Sequence, residues 1–344
     1  MVTHFYRDFS TNFVTECQKF ERLYKNNWIG EWKDPALPFL WKAAGDELIY
    51  CVHLTDHRFS VLFVSAWVEA IKAVRPILQT YSLKLNLKAS AWLAGFPINN
   101  TEVILGLGDS NGISLAGSHN TASDQNMLKL HKHYSEKPAA LSVGEAVDFI
   151  GPSLDIGFRL GSIATTRRMI CSIELAWQIC KALEDKNVRS VRDLAENCKD
   201  NASVFHISER QILKGVLDGI PYPIIWIDIG EHKKFNSVED KIFANAPHPT
   251  ENTAKYCQAF VESCNMGYLS LPFIVNDQHS EPRDSYIQKY KKLLSKWEKV
   301  LKDHEDATPK ESQETTMTLT ARDHAMIKIL RKRLEEKITK QSKQ

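Results

Sequence analysis

Two short apolar runs that meet at Gly-Asp-Glu constrain the fold of this chain more than any other feature. The runs are Leu37–Ala44 and Leu48–Leu54, and the residues between them are typical of a tight β-turn. The pattern therefore predicts a β-hairpin with an acidic tip. Because a carboxylate is costly to bury without a counter-charge or a metal, the hairpin raises the question of what lies opposite Asp46.

Composition excludes several classes of protein. The 344 residues carry a net charge of +2, which indicates no polyanion partner such as nucleic acid. No apolar run approaches the ~20 residues that span a bilayer, and the charged first 30 residues lack a signal-peptide core. The seven cysteines form no Cys-x-x-Cys pair, which argues against a zinc site. We therefore expect a cytoplasmic protein without a membrane partner.

The segment before the hairpin predicts a strand followed by a helix. Val2–Asp8 is β-prone, and apolar residues then recur at helical spacing from Phe13 to Tyr24. Asp8 is thus expected at the C-terminal end of a strand. After the hairpin, the apolar run 60–80 predicts a helix that kinks or ends near Pro76, and the alternation in 83–91 predicts a strand with one buried face.

Strands and helices alternate from residue 147 to residue 229. The pattern predicts strands over 147–150, 169–174, 204–207 and 221–229, with helices over 152–168 and 175–183. This order indicates an α+β sandwich, in which helices cover one face of a sheet. We expect one domain over 1–229.

Residues 99–141 and 230–344 are less regular. Gly106 and Gly108 superficially resemble a dinucleotide-binding turn, but no amphipathic helix follows, and a loop is the better interpretation. His131 and His133 lack further ligands nearby, which favours a solvated loop over a metal site. Residues 230–344 predict a helical extension with a linker-like stretch over 232–253, helices over 284–303 and 321–340, and a flexible linker over 305–320. Their lysines favour solvated helix faces over membrane or nucleic-acid contact.

Asp8 and Asp46 form a candidate metal site if their strands are neighbours. Paired carboxylates without His or Cys ligands suit Mg²⁺ or Mn²⁺, which prefer oxygen and leave positions open for phosphate. Two such ions can activate a hydroxyl and stabilise charge on a phosphoryl group. Two aspartates alone do not establish a site, and without further motifs turn-forming surface acids would be the better interpretation.

Three further motifs resemble the class III nucleotidyl cyclase domain, in the order that this family has. They are Trp41-Lys42-x-x-Gly45-Asp46, Asp148-x-x-Gly151-x-x-Leu154-Asp155-x-x-x-Arg159, and Leu213-Lys214-Gly215 before a β-run. The resemblance covers roughly residues 1–229. It implies a ferredoxin-like core and a head-to-tail homodimer with catalytic sites at the subunit interface.

The resemblance also implies roles for the residues of the motifs. Asp8 and Asp46 of one chain would hold two divalent ions, Mg²⁺ or Mn²⁺, that activate the ribose 3′-hydroxyl for attack on the α-phosphorus. The other chain would supply the remaining groups. These are Arg159 for the developing charge, Lys214 for the triphosphate, Lys42 and Asp148 for the base, and Asp155 for the ribose.

Departures from the family pattern point to one branch. Asp155 replaces the ribose-orienting Asn, Gly157-Phe158 replaces Ala-Ala or Ala-Ser, and Ser10-Thr11-Asn12 replaces a Gly-rich turn. With a helical tail, these features are similar to the anti-phage pyrimidine cyclases of the Pycsar systems. That similarity implies synthesis of cyclic UMP or cyclic CMP, which activates a separate effector.

The hairpin supplies a local argument about the base. If it turns about Asp46, Tyr50 lies roughly across from Lys42, where its ring would shrink the base pocket in favour of a pyrimidine. Ordinary strand packing is the alternative role for Tyr50. A Lys donor suits the O4 or O2 acceptor of uracil, so UTP is expected first and CTP second. An adenylate cyclase, and a catalytically silent cyclase-like binding module, remain the alternatives.

Overall fold

The computed structural model describes residues 2–82, 84–105, 121–135, 146–188, 203–243, 245–264, 269–274, 277 and 284–307. The chain divides into two compact units. The first comprises 1–94 and 152–280, and the second comprises 95–151 and 281–344. This division differs from the boundary at 229/230 that we placed from the sequence, because the segment 95–151 leaves the first unit and 230–280 belongs to it.

The first unit is built on a mixed five-stranded sheet in the order β3-β6-β8-β7-β9. Its strands are β3 (Ser90–Ala91), β6 (Arg168–Cys171), β7 (Ser203–Ile212), β8 (Pro221–Asp228) and β9 (His248–Pro249). β3 runs parallel to β6, and the other neighbours are antiparallel. The centre of the sheet is covered on both faces, since the successive residues 169–171 of β6 and 222–226 of β8 are buried, as expected for strands covered on both sides.

Helices of this unit follow the predicted positions closely. α4 (Pro152–Ile163) ends earlier than predicted, and α5 (Ile173–Ala182) begins at the N-cap Ser172, whose side chain accepts a hydrogen bond from the backbone N–H of Leu175. α6 (Lys233–Ile242) and α7 (Thr250–Cys264) follow β8, and α7 packs against α5. The predicted α+β class is therefore confirmed.

The predicted N-terminal strand is wrong. α1 (Val2–Asn26) is one continuous helix that packs on α2 (Phe59–Tyr81). Its buried stripe includes Phe9, Phe13, Cys17 and Tyr24, and the four-residue spacing between the first three extends the helical pattern back over the β-prone segment. Burial of this stripe outweighs local β propensity.

α2 continues through Pro76, where an end or kink was expected. The neighbouring Arg75 is 1% exposed, and its guanidinium donates to the backbone carbonyls of Thr166, Ile229 and Leu87. Burial lowers the pKa of Arg75. These bonds fix α2 to the end of the sheet where β3 and β6 begin and β8 ends.

The predicted hairpin is present as β1 (Phe39–Ala44) and β2 (Glu47–Cys51). It forms a separate two-stranded sheet, so the described strands do not assemble the single ferredoxin-like sheet that we expected. The predicted strand over 83–91 is reduced to β3, because β3 pairs with β6 over two residues only.

The described part of the second unit contains a hairpin-like pair of strands and two helices. β4 (Thr101–Leu105) and β5 (Ala146–Ile150) are antiparallel, and α3 (Ala122–Ser135) and α8 (Asp284–Ala307) contact each other. α3 lies where a loop was predicted and includes His131, which is buried. α8 confirms the helix predicted for 284–303 and includes the first residues of the expected linker.

The glycines at 106–117, the rest of the 305–320 linker and the helix predicted for 321–340 lie outside the described residues. In the part of the chain that the structure describes, none of the helices combines the length and apolarity needed to cross a bilayer.

Candidate functional site

The β1–β2 hairpin places Asp46 at its tip, as predicted. Gly45 and Asp46 form a two-residue turn, in which Gly45 has φ +64° and Asp46 is exposed. Such a turn needs a residue that tolerates positive φ, which explains glycine at this position. The carbonyl of Gly45 accepts a hydrogen bond of 2.5 Å from the hydroxyl of Tyr6 on α1. The tip is therefore held against α1 while the Asp46 carboxylate is accessible to a ligand.

The register of the hairpin differs from the predicted one. A register shift between Leu40 and Lys42 pairs Tyr50 with Leu40 and pairs Lys42 with Ile49. Tyr50 consequently does not lie across from Lys42. A bulge of this kind adds one residue to one strand and turns the following side chains to the other face.

Tyr50 instead packs into the aromatic core between the hairpin and the helices. Its ring lies 5.3 Å from that of Phe13 and 5.9 Å from that of Trp67, and its hydroxyl hydrogen-bonds the hydroxyl of Ser10. These contacts are typical of ordinary strand packing, which is the alternative role that the sequence left open for Tyr50. A contact of Tyr50 with a base stays a prediction.

The hairpin meets α4 through aromatic rings. Phe158 on α4 lies 6.1 Å from the ring of Trp41 and 5.7 Å from the ring of Trp92, which follows β3. Lys42 Nζ lies 4.3 Å from the ring centroid of Trp41, a cation–π distance. The first cyclase-like motif and the α4 part of the second are therefore in contact within the first unit.

α4 presents two of the predicted residues on one exposed face. Asp155 in its first turn and Arg159 one turn later are both exposed, while the intervening Ile156 and Gly157 are buried. Arg159 Nε donates a 2.9 Å hydrogen bond to the backbone carbonyl of Lys214. The second and third motifs, 55 residues apart, thus meet at this bond.

The Lys214 loop is anchored and sharply bent. Leu213 is buried beneath it, and Lys214 is exposed. Gly215 has φ +76°, and the non-glycine residues Leu217 and Asp218 have φ +58° and +48°. Non-glycine residues in the left-handed region cost energy, and they persist where surrounding contacts over-determine the backbone. The loop therefore holds the Lys214 backbone in place for Arg159.

The departure at Gly157 has a steric cause. A Cβ atom at this position would overlap the indole ring of Trp92, which lies directly on the backbone of α4. An alanine here, as in the cyclase pattern that the sequence resembles, would displace Trp92, so Gly157 and the indole ring form one packing arrangement.

Asp8 is not where the metal prediction needs it. It lies on α1, half-buried, and pairs with Arg7 at 2.9 Å. Tyr6 and Ser10 are the α1 residues that bond the hairpin. At 100° per residue Asp8 is about 200° from Tyr6, which turns its carboxylate away from the hairpin. Asp8 and Asp46 therefore do not face a common pocket in this arrangement.

Asp148 lies in the second unit. It is on β5, paired with Val103, and its Oδ1 accepts a 2.9 Å hydrogen bond from the backbone N–H of Phe149. The predicted role of Asp148 beside Lys42 remains a prediction.

One group of potential metal ligands was missed by the sequence. Asp56, His57 and Asp277 bring ligand atoms within 4.8 Å of one another. Asp277 Oδ2 accepts from His57 Nδ1 at 2.5 Å and from its backbone N–H at 2.8 Å, and both residues are buried. Two carboxylates and an imidazole suit a divalent transition metal. A separation of 220 residues along the chain left no spacing to detect.

A second group is His206, Asp228 and Asp240, again within 4.8 Å. Arg167 already bonds both carboxylates, at 2.9 Å and 2.6 Å, so its single positive charge offsets part of their negative charge without a metal. Burial lowers the pKa of His206, which stacks on a neighbouring indole ring. Neither group includes Asp8 or Asp46.

Comparison of the chain with protein-family models, with curated proteins and with solved structures gives no match. The assignment of a function therefore depends on the site itself. Its chemistry is that of an anion-binding surface, because Arg159 and Lys214 are exposed neighbours and a planar guanidinium suits phosphate oxygens. The adjacent aromatic rings offer an apolar contact for a base.

Proposed function

We propose that this chain is a nucleotide cyclase of the class III type that converts a pyrimidine nucleoside triphosphate to a 3′,5′-cyclic nucleotide and pyrophosphate. The observation that carries the proposal is the hydrogen bond between Arg159 and the Lys214 carbonyl. Arg159 and Lys214 were selected from separate motifs as parts of one half of a triphosphate site. They are neighbours on an accessible surface.

In this proposal each residue of that half-site acts on a different part of the substrate. The Lys214 ammonium binds the triphosphate, and Arg159 stabilises the charge that develops as pyrophosphate leaves. Asp155, on the same face of α4, accepts a hydrogen bond from the ribose hydroxyl. Lys42 donates to the base, with Asp148 as its proposed companion. The complementary half-site comes from a second copy in a homodimer.

The metal half of the site is only partly supported by the positions of Asp8 and Asp46. Asp46 offers an exposed carboxylate for Mg²⁺ or Mn²⁺, but Asp8 points away from it, and the two do not fit a shared two-metal site. The role of Asp8 as a ligand has no geometric support in this arrangement.

UTP is the proposed first substrate and CTP the second. Lys42 is a donor, and uracil presents carbonyl acceptors at O4 and O2. Because Tyr50 is engaged by the core, base choice would depend on Lys42 and Asp148, the pair that also suits adenine in this family. Cyclic UMP would act as a second messenger on a separate effector in defence against phage.

A second candidate is a cyclase-like module that binds a nucleoside triphosphate without turning it over. The position of Asp8 favours this candidate, because a binding module needs Arg159 and Lys214 but not the metal pair.

Incubation of the purified protein with each of UTP, CTP, ATP and GTP and with Mn²⁺ or Mg²⁺ tests both candidates. Mass spectrometry of the products and calorimetric titration of a non-hydrolysable UTP analogue give independent readouts. Cyclic UMP as the main product supports the cyclase. Binding without any cyclic product supports the silent module, and the absence of both refutes the site.

A further inference from the structure

Helix α6 exposes its apolar side to solvent. Phe235 is 67% exposed and Ile242 is 71% exposed, and Val238 between them and Phe243 after them are exposed as well. The spacing of three and then four residues places the first three on one stripe of the helix. A contiguous exposed apolar stripe of this kind marks an interaction surface. We call these four residues the α6 stripe.

The polar side of α6 holds the helix to the sheet. Arg167 bonds Glu239 at 2.5 Å and Asp240 at 2.6 Å. Asn236 and Asp240 are buried, and the Asn236 amide lies 3.5 Å from an oxygen of Asp228. α6 is therefore fastened through its charged and polar residues, and this attachment fixes the stripe in an outward orientation before any partner arrives.

The stripe has opposite charges on its two flanks. Phe235 and Ile242 occupy the first position of a seven-residue repeat and Val238 the fourth. Lys234 then lies immediately to one side of the stripe, as does Lys241 one repeat later, while Glu239 lies on the other side. The Glu239 side chain retains 37% exposure despite its bond to Arg167.

We propose that the α6 stripe is an interface for the same stripe on a second copy of this chain, with the two helices parallel about a two-fold axis. In a parallel pair, Lys234 faces Glu239 of the partner subunit, five residues further along, and the converse pair forms by symmetry. In an antiparallel pair each flank meets its own copy, so lysine faces lysine and glutamate faces glutamate.

The same flanks argue against an anionic membrane as the partner. An interfacial helix carries basic residues across its polar face. Here one flank is acidic, and the rest of the polar face is bonded to the sheet. Two copies of the stripe would bury on the order of 1,000 Å² in total, near the lower limit for a specific interface. The pair is therefore weak and depends on protein concentration.

This interface does not rest on the proposed function, because it uses none of the residues of the nucleotide site. A cyclase dimer through another surface is compatible with it, so the test must be specific to α6.

The first experiment reverses one charge in the full chain. Lys234→Glu places like charges beside Glu239 of the partner subunit and is expected to weaken self-association about five- to tenfold by analytical ultracentrifugation. Lys233→Glu is the matched control, because this neighbouring lysine lies away from the stripe. A Lys234→Glu variant that associates like the control, or more tightly than the wild type, overturns the parallel arrangement.

The second experiment tests directly which residues of α6 face each other in the dimer. It uses substitutions of exposed residues, which leave the fold intact. Under mild oxidation, Val238→Cys on the stripe is expected to form a disulfide-linked dimer at least tenfold faster than Ser237→Cys beside it. Equal rates for the two variants, or no dimer from Val238→Cys, overturn the proposal. Flotation of the wild type with phosphatidylserine vesicles, abolished by Phe235→Asp, would also overturn it in favour of a lipid surface.

Discussion

Helices α4 and α1 both belong to the first unit, and both carry residues that the sequence assigned to one catalytic site. On α4, Asp155 and Arg159 share an exposed face, and Arg159 bonds the Lys214 loop. On α1, the Asp8 carboxylate bonds the adjacent Arg7, whereas Tyr6 and Ser10, which hydrogen-bond the hairpin, lie on the opposite side of the helix.

The difference arises because the motif on α4 determines the relative orientation of its side chains, whereas a single residue on α1 does not. Asp155-x-x-x-Arg159 spans one helical turn, so the spacing itself places both side chains on one face. Asp8 was selected by residue type and by an assumed strand, and a single residue carries no information about the helical phase. A motif that contains its own periodicity is thus the more reliable guide to a site.

The largest effect is expected at Arg159, and Asp8 serves as the comparison. Arg159→Ala should lower the turnover of UTP about 100- to 1,000-fold, as for other groups that stabilise developing charge. Asp8→Asn should change turnover less than about threefold, because its carboxylate is turned from the hairpin. Steady-state rates of product formation test both, with Arg210→Ala, an exposed arginine on β7, as the control. A loss in Asp8→Asn equal to that in Arg159→Ala would restore Asp8 as a metal ligand.

A smaller effect concerns the packing that positions Arg159. Gly157→Ala should lower the free energy of unfolding by about 2–3 kcal/mol, because the added methyl group overlaps the Trp92 ring. Gly161→Ala, one turn later, should raise it by about 0.5–1 kcal/mol, because its methyl group meets only Ser90 Oγ at an ordinary 3.5 Å. Urea denaturation monitored by Trp fluorescence measures both. Equal effects of the two variants would contradict the close approach of Trp92.

The smallest effect is expected for the hydrogen bond between Tyr50 and Ser10 on α1. Tyr50→Phe removes the hydroxyl that bonds Ser10 and should lower the free energy of unfolding by about 1 kcal/mol, with little change in the preference among nucleotides. A double-mutant cycle with Ser10→Ala separates this bond from the packing of the ring. A change in the preference for UTP over ATP would give Tyr50 the role in the base pocket that its position here does not support.

Much of the fold was predictable because its elements are local and strongly patterned. The hairpin, α4, α5 and β8 carry periodic apolar residues and clear turn or cap residues, and each lies within a few residues of its predicted range. The segment 2–8 was mispredicted because its β propensity is local, whereas burial of Phe9 and Phe13 against α2 is a tertiary effect. The helix α3 was missed because polar residues dominate it.

The site was predictable only in part, for a related reason. Arg159 and Lys214 were found because each lies in a motif with neighbours in the chain. The bulge that pairs Tyr50 with Leu40 cannot be read from alternation, since one added residue shifts the register without changing composition. The contact between Asp277 and His57 joins segments that are distant in the chain, and no local sequence pattern predicts it.

The contact between Gly157 and Trp92 also bears on how the chain can diverge. An indole ring that lies on a helix backbone leaves no room for any side chain at the facing position, so neither residue can be exchanged alone without loss. The two positions are expected to covary: a homologue with alanine at position 157 should have a residue smaller than tryptophan at position 92. Because Arg159 lies half a turn further along α4, the packing of positions 92 and 157 also limits how far the guanidinium can shift as the sequence diverges.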